Sequence, residues 1–341
     1  MVYWRHHNPA GHHIMIMITG GGGFLGLNIA QSLAKKGRKV LLVQRRAVAR
    51  HPLLSAYWDR QVKQAAGNVL DWPFLFSLVK QYPIDSIVHG AFDTAGIANP
   101  DLMKSGLPRL VQVDLEGSRN LLELTRIAGL RRLTFISSVD CYRGWPAECE
   151  SWCEDAYLPP VSFSPIGNCK RAVEQLGFLY SKIYGLSFVA LRVGRVYGPG
   201  ASSRQPIRTM IEDSAAGRPV DLSGIPASTR AHPVYAEDVG EAAGLIHMAG
   251  APRHYIYNIS DGTNPTMLEI ARTVCDLVPG ADITLGPGSE EKPCHAGVDV
   301  RRIGEEFGFE FRNLRTGITD YIAWLNRQST GGHAGEGSDR D

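Results

Sequence analysis

Ile14-Met15-Ile16-Met17-Ile18-Thr19-Gly20-Gly21-Gly22-Gly23-Phe24-Leu25-Gly26 is the stretch that decides the fold. A continuously apolar run gives way to four glycines, and a helical pattern begins at Phe24. A run that is apolar at every position suits a parallel strand covered by helices on both faces. Glycines between such a strand and a helix permit a tight turn. They also let a pyrophosphate approach the helix N-terminus, where unpaired backbone N–H groups and the helix dipole favour negative charge. Gly20, Gly23 and Gly26, with Phe24 and Leu25 opening the helix, form the expected cofactor cradle. Gly21-x-Gly23-x-x-Gly26 fits the ordinary dinucleotide fingerprint as well, so spacing alone leaves the register open.

Outward from this unit, strand-like segments at 14–19, 40–44, 86–91, 132–138, 187–193 and 255–260 alternate with amphipathic stretches. The alternation predicts an α/β fold, a doubly wound parallel sheet of Rossmann type, with a smaller C-terminal α/β lobe. Residues 14–197 and 232–262 are assigned to the dinucleotide-binding domain, and the Pro- and Gly-richer 198–231 and 263–327 to a substrate domain. A disordered leader is expected over 1–13 and a disordered tail over 328–341. Ligands of such sheets bind at the carboxyl ends of the strands.

The second strand ends Gln44-Arg45-Arg46. NAD-preferring sites place an acid on the ribose 2′-hydroxyl there, roughly 20 residues past the glycines. Two guanidinium groups instead favour a 2′-phosphate, so Arg45 and Arg46 predict NADPH, with NADH as a lesser ligand.

Acidic and basic residues nearly cancel, 34 against 36, which leaves no field to attract nucleic acid or an anionic membrane. The one apolar run near the N-terminus is too short to span a bilayer. A cytoplasmic protein with a small-molecule partner is expected, as a monomer or homodimer. Cys141, Cys149, Cys153, Cys169, Cys275 and Cys294 read as reduced thiols. His6, His7, His12 and His13 of the leader lack the companions that would close a metal site, so no metal is expected.

Taken together, several marks resemble the extended short-chain dehydrogenases/reductases, the family of sugar epimerases, dehydratases and many ketoreductases. They are Thr19-Gly20-x-x-Gly23-x-x-Gly26, Asn68-Val69-Leu70-Asp71, His89-Gly90-Ala91 and Gly117-Ser118-x-Asn120-Leu121-Leu122. Further on come Ser137-Ser138-x-x-x-Tyr142, Leu191-Arg192, Tyr197-Gly198-Pro199-Gly200 and Arg230-x-His232-x-Val234-x-x-x-Asp238. The resemblance implies cofactor contacts at Asn68, Val69, Gly90, Ala91, Lys170, Val193 and Val196. It also implies a Ser that hydrogen-bonds the substrate carbonyl, a Tyr that moves the proton, and a Lys that holds the ribose. Ser138 and Lys170 match; the tyrosine position is Ile166, which cannot transfer a proton.

A general acid contributes ~10²–10⁴-fold, or about 3–5 kcal/mol, whereas attack geometry supplies about 7–11 kcal/mol. Hydride transfer therefore survives the loss if the substrate stabilises its own alkoxide, as a ketone beside a phenol does. Ser138, Ile166 and Lys170 resemble the angucyclinone ketoreductases of simocyclinone-type antibiotic biosynthesis. Aromatic side chains over 142–163, including Tyr142, Trp145, Trp152, Tyr157 and Phe163, together with Tyr197, are expected to face a flat aromatic substrate. The predicted function is NADPH-dependent reduction of an aromatic polyketide ketone. A catalytically silent NADP-binding regulator and a nucleotide-sugar epimerase or dehydratase stand as alternatives, and Asp140, Tyr142 and Cys169 read as structural rather than as substitute acids.

Overall fold

A computed structural model describes residues 14–92, 100–144, 151–162, 164–201, 204–288 and 296–331. Strand β1 (Met15–Thr19) leads through the glycine turn into α1 (Phe24–Lys35), and β2 (Lys39–Gln44) returns beside it. Then follow α2 (Trp58–Gln61), β3 (Val62–Ala66), α3 (Trp72–Gln81) and β4 (Ile84–His89). Next come α4 (Pro100–Val111), a π-helical turn over Gln112–Glu116, α5 (Gly117–Ile127) and β5 (Leu133–Ser138). The short β6 (Ser151–Trp152), α6 (Pro165–Tyr184), β7 (Phe188–Val193) and β8 (Arg195–Tyr197) precede α7 (Pro206–Ala215), β9 (Val220–Pro226) and β10 (Pro233–Tyr235). The chain closes with α8 (Ala236–Met248), β11 (Ile256–Ile259), α9 (Met267–Leu277), β12 (Ile283–Gly286), β13 (Gly297–Val298), α10 (Arg301–Phe307) and α11 (Leu314–Gly331).

Seven strands form one parallel sheet in the order β11-β7-β5-β4-β1-β2-β3. The winding reverses between β1 and β4, and at that point the connections leave a crevice outside the strand ends. The expected doubly wound α/β architecture is present. Its core explains the apolar runs. Ile16 and Ile18 of β1 pack with α1 and α8 on one face, while Met15 and Met17 pack with α3 and α5 on the other. Burying such a side chain contributes about 1.5–3 kcal/mol, so a polar residue on either face of β1 is costly.

Four features differ from the sequence expectation. Strand β3, Val-Lys-Gln-Ala-Ala, sits at the sheet edge with only Val62 buried, and an edge strand carries little apolar signal. The second lobe is built on Tyr197, Ile207, Met210, Val220, Tyr235, Ile270 and Ile318, so its core recruits Tyr197 and Tyr235 from segments assigned to the first domain. Conversely, Ile303 of α10, with Phe307, Phe309 and Phe311, returns to the sheet's own core, so 263–327 is not wholly a substrate domain. Helix α11 continues through Gly331, past the point where a tail was expected at 328; residues 1–13 and 332–341 lie outside the described residues.

Among the described residues no helix is long and apolar enough to cross a membrane, and no three His, Cys, Asp or Glu side chains stand close enough to hold a metal. The described cysteines Cys141, Cys153, Cys169 and Cys275 are free thiols.

Two histidines are buried between hydroxyls. His247 lies between Thr134 Oγ1 and Ser86 Oγ, each at 2.9 Å, and His89 between Thr19 Oγ1 at 2.7 Å and Ser118 Oγ at 2.9 Å. Burial lowers His89 from 6.5 to about 3, with Lys170 adding to the effect, and lowers His247 well below 6.5. The unfolded chain therefore binds more protons from about pH 6.5 downward, and stability falls as pH drops through that window, by on the order of 5 kcal/mol for His89 at full extent. Urea midpoints measured from pH 7.5 to pH 4.5 should decline steadily, and His247→Asn should flatten that slope even while lowering the neutral-pH value. A flat wild-type profile would rule the histidines out as its cause.

Candidate active site

A cleft of about 930 Å³ opens at the carboxyl ends of the strands. Gly20, Gly23, Gly90, Ala91, Asn68 and Val69 line one side with Val43, Gln44, Arg45 and Phe92; Arg109, Gln112 and Glu116 come from the wall formed by α4 and the π-helical turn. Gly20 adopts φ +70°, and a Cβ on it would stand 2.7 Å from the Gly90 carbonyl oxygen. A Cβ on Gly26 would stand 2.3 Å from the Gly20 carbonyl oxygen. A Cβ on Gly21 would likewise stand 2.7 Å from the Ile18 carbonyl oxygen, so both registers are sterically required, and of the two residues that tell them apart only Gly20 has a positive φ. Gly23 is the N-cap of α1, with no side chain capping it, so the N–H groups of Phe24 and Leu25 remain at the open end of the helix. The cradle fits a dinucleotide pyrophosphate.

The cradle walls are tied from behind by α5. His89, the last residue of β4, bridges Thr19 and Ser118, so the ends of β1 and β4 are held to one helix. Asn120 Nδ2 donates to the Val69 carbonyl oxygen at 3.0 Å and holds the loop after β3. The Gly117-Ser118-x-Asn120 motif thus positions two cofactor-facing loops at once. At the end of β2, Arg45 lines the cleft and both Arg45 and Arg46 are exposed, but Arg46 is not among the lining residues. Val193 is buried in the sheet core and Val196 packs against it, so their side chains face the interior and only their backbone could serve a cofactor.

At the reacting end, Ser138 closes β5 and caps the short helical turn over Val139–Tyr142, its Oγ accepting from the Asp140 N–H at 3.1 Å. Helix α6 starts at a Ser164 cap, whose Oγ accepts from the Gly167 N–H at 3.3 Å, with Pro165 in the first turn. That cap fixes the helix register: Ile166 lies one turn before Lys170 on the same face. Lys170 is buried, donates from Nζ to the Ile136 carbonyl oxygen at 2.9 Å, and lies 4.1 Å from the ring centre of Phe92 and 4.6 Å from that of Phe135. Burial lowers its pKa from 10.5 to about 8, against the opposing pull of the Asp114 carboxylate on the π-helical turn. Phe92, which covers this ammonium, is a site residue the sequence reading missed; its only signal is that it follows Gly90-Ala91.

Beneath the site runs a buried polar network. Arg192 of β7 and Glu174 of α6 pair at 2.7 Å with both side chains 3% exposed. Ser137 Oγ donates to Glu174 Oε1 at 2.6 Å, Arg192 Nη1 donates to the Tyr142 hydroxyl at 2.9 Å, and that hydroxyl donates to Asn258 Oδ1 at 2.8 Å. Tyr142 is therefore a core residue, fully buried and stacked on Trp152 at 5.3 Å. Its phenol is pushed upward in pKa, mainly by burial.

Burial overturns the expected substrate contacts at Tyr142, Trp152 and Tyr197. Tyr142 and Trp152 belong to a satellite core, Tyr197 is 1% exposed with its hydroxyl on the Leu314 carbonyl, and Tyr157 is almost fully exposed. Trp145 and Phe163 lie outside the described residues. Of the expected substrate contacts, Ser138 alone remains half-exposed at the strand end.

The profile of the NAD dependent epimerase/dehydratase family matches residues 16–260. Among curated relatives, a UDP-glucuronate 4-epimerase of Thermodesulfobacterium geofontis is 26% identical over 73% of this chain and 76% of its own length. A dTDP-4-dehydro-6-deoxy-D-allose reductase of Streptomyces bikiniensis is 24% identical over 92% of this chain and 97% of its own length. Among solved structures, a dTDP-glucose 4,6-dehydratase of Bacillus anthracis in complex with NAD superposes with a TM-score of 0.78, at 19% identity over 93% of this chain and 98% of its own. A UDP-glucose 4-epimerase of Thermotoga maritima with UDP-glucose gives 0.77, at 20% identity over 92% and 99%.

Breaking the buried pair by Glu174→Gln leaves the Arg192 charge uncompensated, which costs about 3–5 kcal/mol. Chemical denaturation should show a loss of that size, and a doubly apolar Glu174→Leu/Arg192→Met variant should recover much of it. A single-variant loss below ~1 kcal/mol would mean water reaches the pair.

Proposed function

The chain belongs to the NAD dependent epimerase/dehydratase family, and within it we propose that it is an NADPH-dependent ketoreductase working without the family's proton-transferring tyrosine. What supports this reading is that Ser138 closes β5 while Lys170 is buried on α6 with Ile166 one turn before it, residues that the family resemblance assigns to the carbonyl, the ribose and the acid position. When bound, the nicotinamide supplies a hydride. The residues do the rest. The Ser138 hydroxyl donates to the forming oxyanion, Lys170 holds the ribose hydroxyls, and Ile166 and Phe92 keep water from the reacting carbon.

The missing group bears on the substrate. Isoleucine has no ionisable group, so the proton must be carried by a hydroxyl beside the reacting carbon or by a water, whichever way the hydride moves. A ketone flanked by a phenol, as in an angucyclinone-like aromatic polyketide, is a substrate of this kind. The likeness to the allose reductase, across nearly the whole length of both chains, favours a second reading, a nucleotide-linked keto-sugar reductase. NADPH over NADH rests on Arg45 at the cleft and on the lack of a carboxylate at the end of β2.

NADPH consumption should be measured with a peri-hydroxylated polycyclic ketone, a plain aryl ketone and a dTDP-4-keto-sugar. Turnover of the hydroxylated ketone, changed little by Ile166→Tyr, is the expected result. Turnover of the sugar alone moves the substrate to the second reading, and tight NADPH binding without turnover of any member makes the chain a silent cofactor-binding protein.

Arg45→Ala should weaken NADPH by roughly 10- to 100-fold, the loss of a charge-assisted contact, while leaving NADH within about twofold; Arg46→Ala should do less. Fluorescence titration with both cofactors reads this directly, and equal losses for both would defeat the 2′-phosphate assignment.

A further inference from the structure

The cofactor cleft ends at an aromatic ring. Phe92 lines it together with Gly90 and Ala91, whereas Ser138, Ile166 and Lys170 are not among its lining residues. The same ring lies on the Lys170 ammonium, 4.1 Å from its centre to Nζ. Phe92 thus touches the cleft on one side and Lys170 on the other, and the residues assigned to the carbonyl and the ribose lie behind it.

Three groups cover the ammonium, and they differ in freedom. The Ile136 carbonyl oxygen, which accepts from Nζ at 2.9 Å, is backbone of β5, where Ile136 pairs with Leu191 of β7. Phe135, with its ring centre 4.6 Å from Nζ, is 2% exposed, belongs to the core beneath the sheet and stacks on Phe188 at 6.4 Å. Phe92 stands in the loop after β4 and is half-buried. Of the three, it alone can take another staggered rotamer without disturbing the sheet. An aromatic face this close is in contact with the ammonium, so no ribose hydroxyl fits between the two.

We propose that Phe92 is a gate on the cofactor: its ring closes the cleft short of Lys170 and Ser138, and a dinucleotide whose ribose reaches Lys170 must displace it. The inference rests on reading Lys170 as the residue that meets the ribose. The adenosine half docks without moving the ring, because the glycine cradle, Arg45 and Asn68 line the cleft on its near side. The nicotinamide half has to replace the contact between ring and ammonium. The whole dinucleotide therefore binds more weakly than its own contacts allow, in proportion to the share of molecules with the ring already displaced.

The test reads binding and needs no ketone, so it stands apart from the ketoreductase assignment. NADP⁺ and adenosine 2′,5′-bisphosphate, which carries the adenosine half and no nicotinamide, are titrated by calorimetry into the wild-type protein, Phe92→Ala and Phe92→Leu. Phe92→Ala should tighten NADP⁺ by roughly 3- to 30-fold, the release of one partly desolvated cation–π contact, and leave the bisphosphate within about twofold. Phe92→Leu, which keeps bulk without a π face, should tighten NADP⁺ by less. A second readout follows the ring itself: a fluorine label on the Phe92 ring should change its NMR shift when NADP⁺ binds and hold it when the bisphosphate binds. A label that ignores NADP⁺, or variants that bind NADP⁺ no more tightly than the wild type, would overturn the gate. Failure of all three proteins to bind NADP⁺ would overturn the gate and the cofactor assignment together, whereas a gate seen in binding stands even if no ketone turns over.

Discussion

The reacting end of this molecule depends on one buried ion pair. Arg192 on β7 and Glu174 on α6 lie in the interior, and their remaining hydrogen-bonding capacity is met by Ser137 and Tyr142. A charge buried without its partner would cost several kcal/mol, so helix α6 is confined to the rotation and depth at which Glu174 meets Arg192. Lys170 lies one turn before Glu174, and Ser137 directly precedes Ser138. The same constraint therefore sets the distance between the hydroxyl that would meet a carbonyl and the ammonium that would meet a ribose. Tyr142 extends it through Asn258 to β11 and, by way of the Trp152 carbonyl, to β6.

With that frame fixed, Ile166 becomes a chemical statement. The Ser164 cap and the close seating of Gly167, whose Cβ would lie 2.2 Å from the Asp140 carbonyl oxygen, prevent α6 from sliding to bring another residue forward. The Cys141 thiol hydrogen-bonds toward Gly167 and Glu174, and its pKa is pushed up to about 12 by burial. On the proposed reading, Ser138 and Lys170 would position the reactants beside an apolar wall at Ile166. Positioning is worth more than a single acid, so the proposed reading asks for substrates that bring their own proton.

The glycine turn, the sheet and the motif residues on α5 were legible because each depends on neighbours in sequence. Gly20 needs a positive φ, Asn120 sits at fixed spacing from Gly117, and β1 is apolar at every position. Strand β3 was not legible, since an edge strand has one exposed face and few apolar residues. Tyr142 and Tyr197 were misread for a different reason: loops rich in aromatics look like surface, and the partners that bury these two, Asn258 and the backbone of Leu314, lie 116 and 117 residues away. Phe92 escaped notice because a single residue past a strand carries no period; its role comes from what the fold leaves beside it.

The π-helical turn at Gln112–Glu116 has a bearing on how such a site can diversify. It puts an extra residue into what would otherwise be one helix, so the segment before it and the segment after it present different faces. Arg109, Gln112 and Glu116 stand on the cleft wall, whereas Ser118 and Asn120 reach back to His89 and Val69. Mutational drift in the wall can accumulate without loosening the anchors behind it. A lineage could thus exchange one ligand for another while inheriting its cofactor cradle intact.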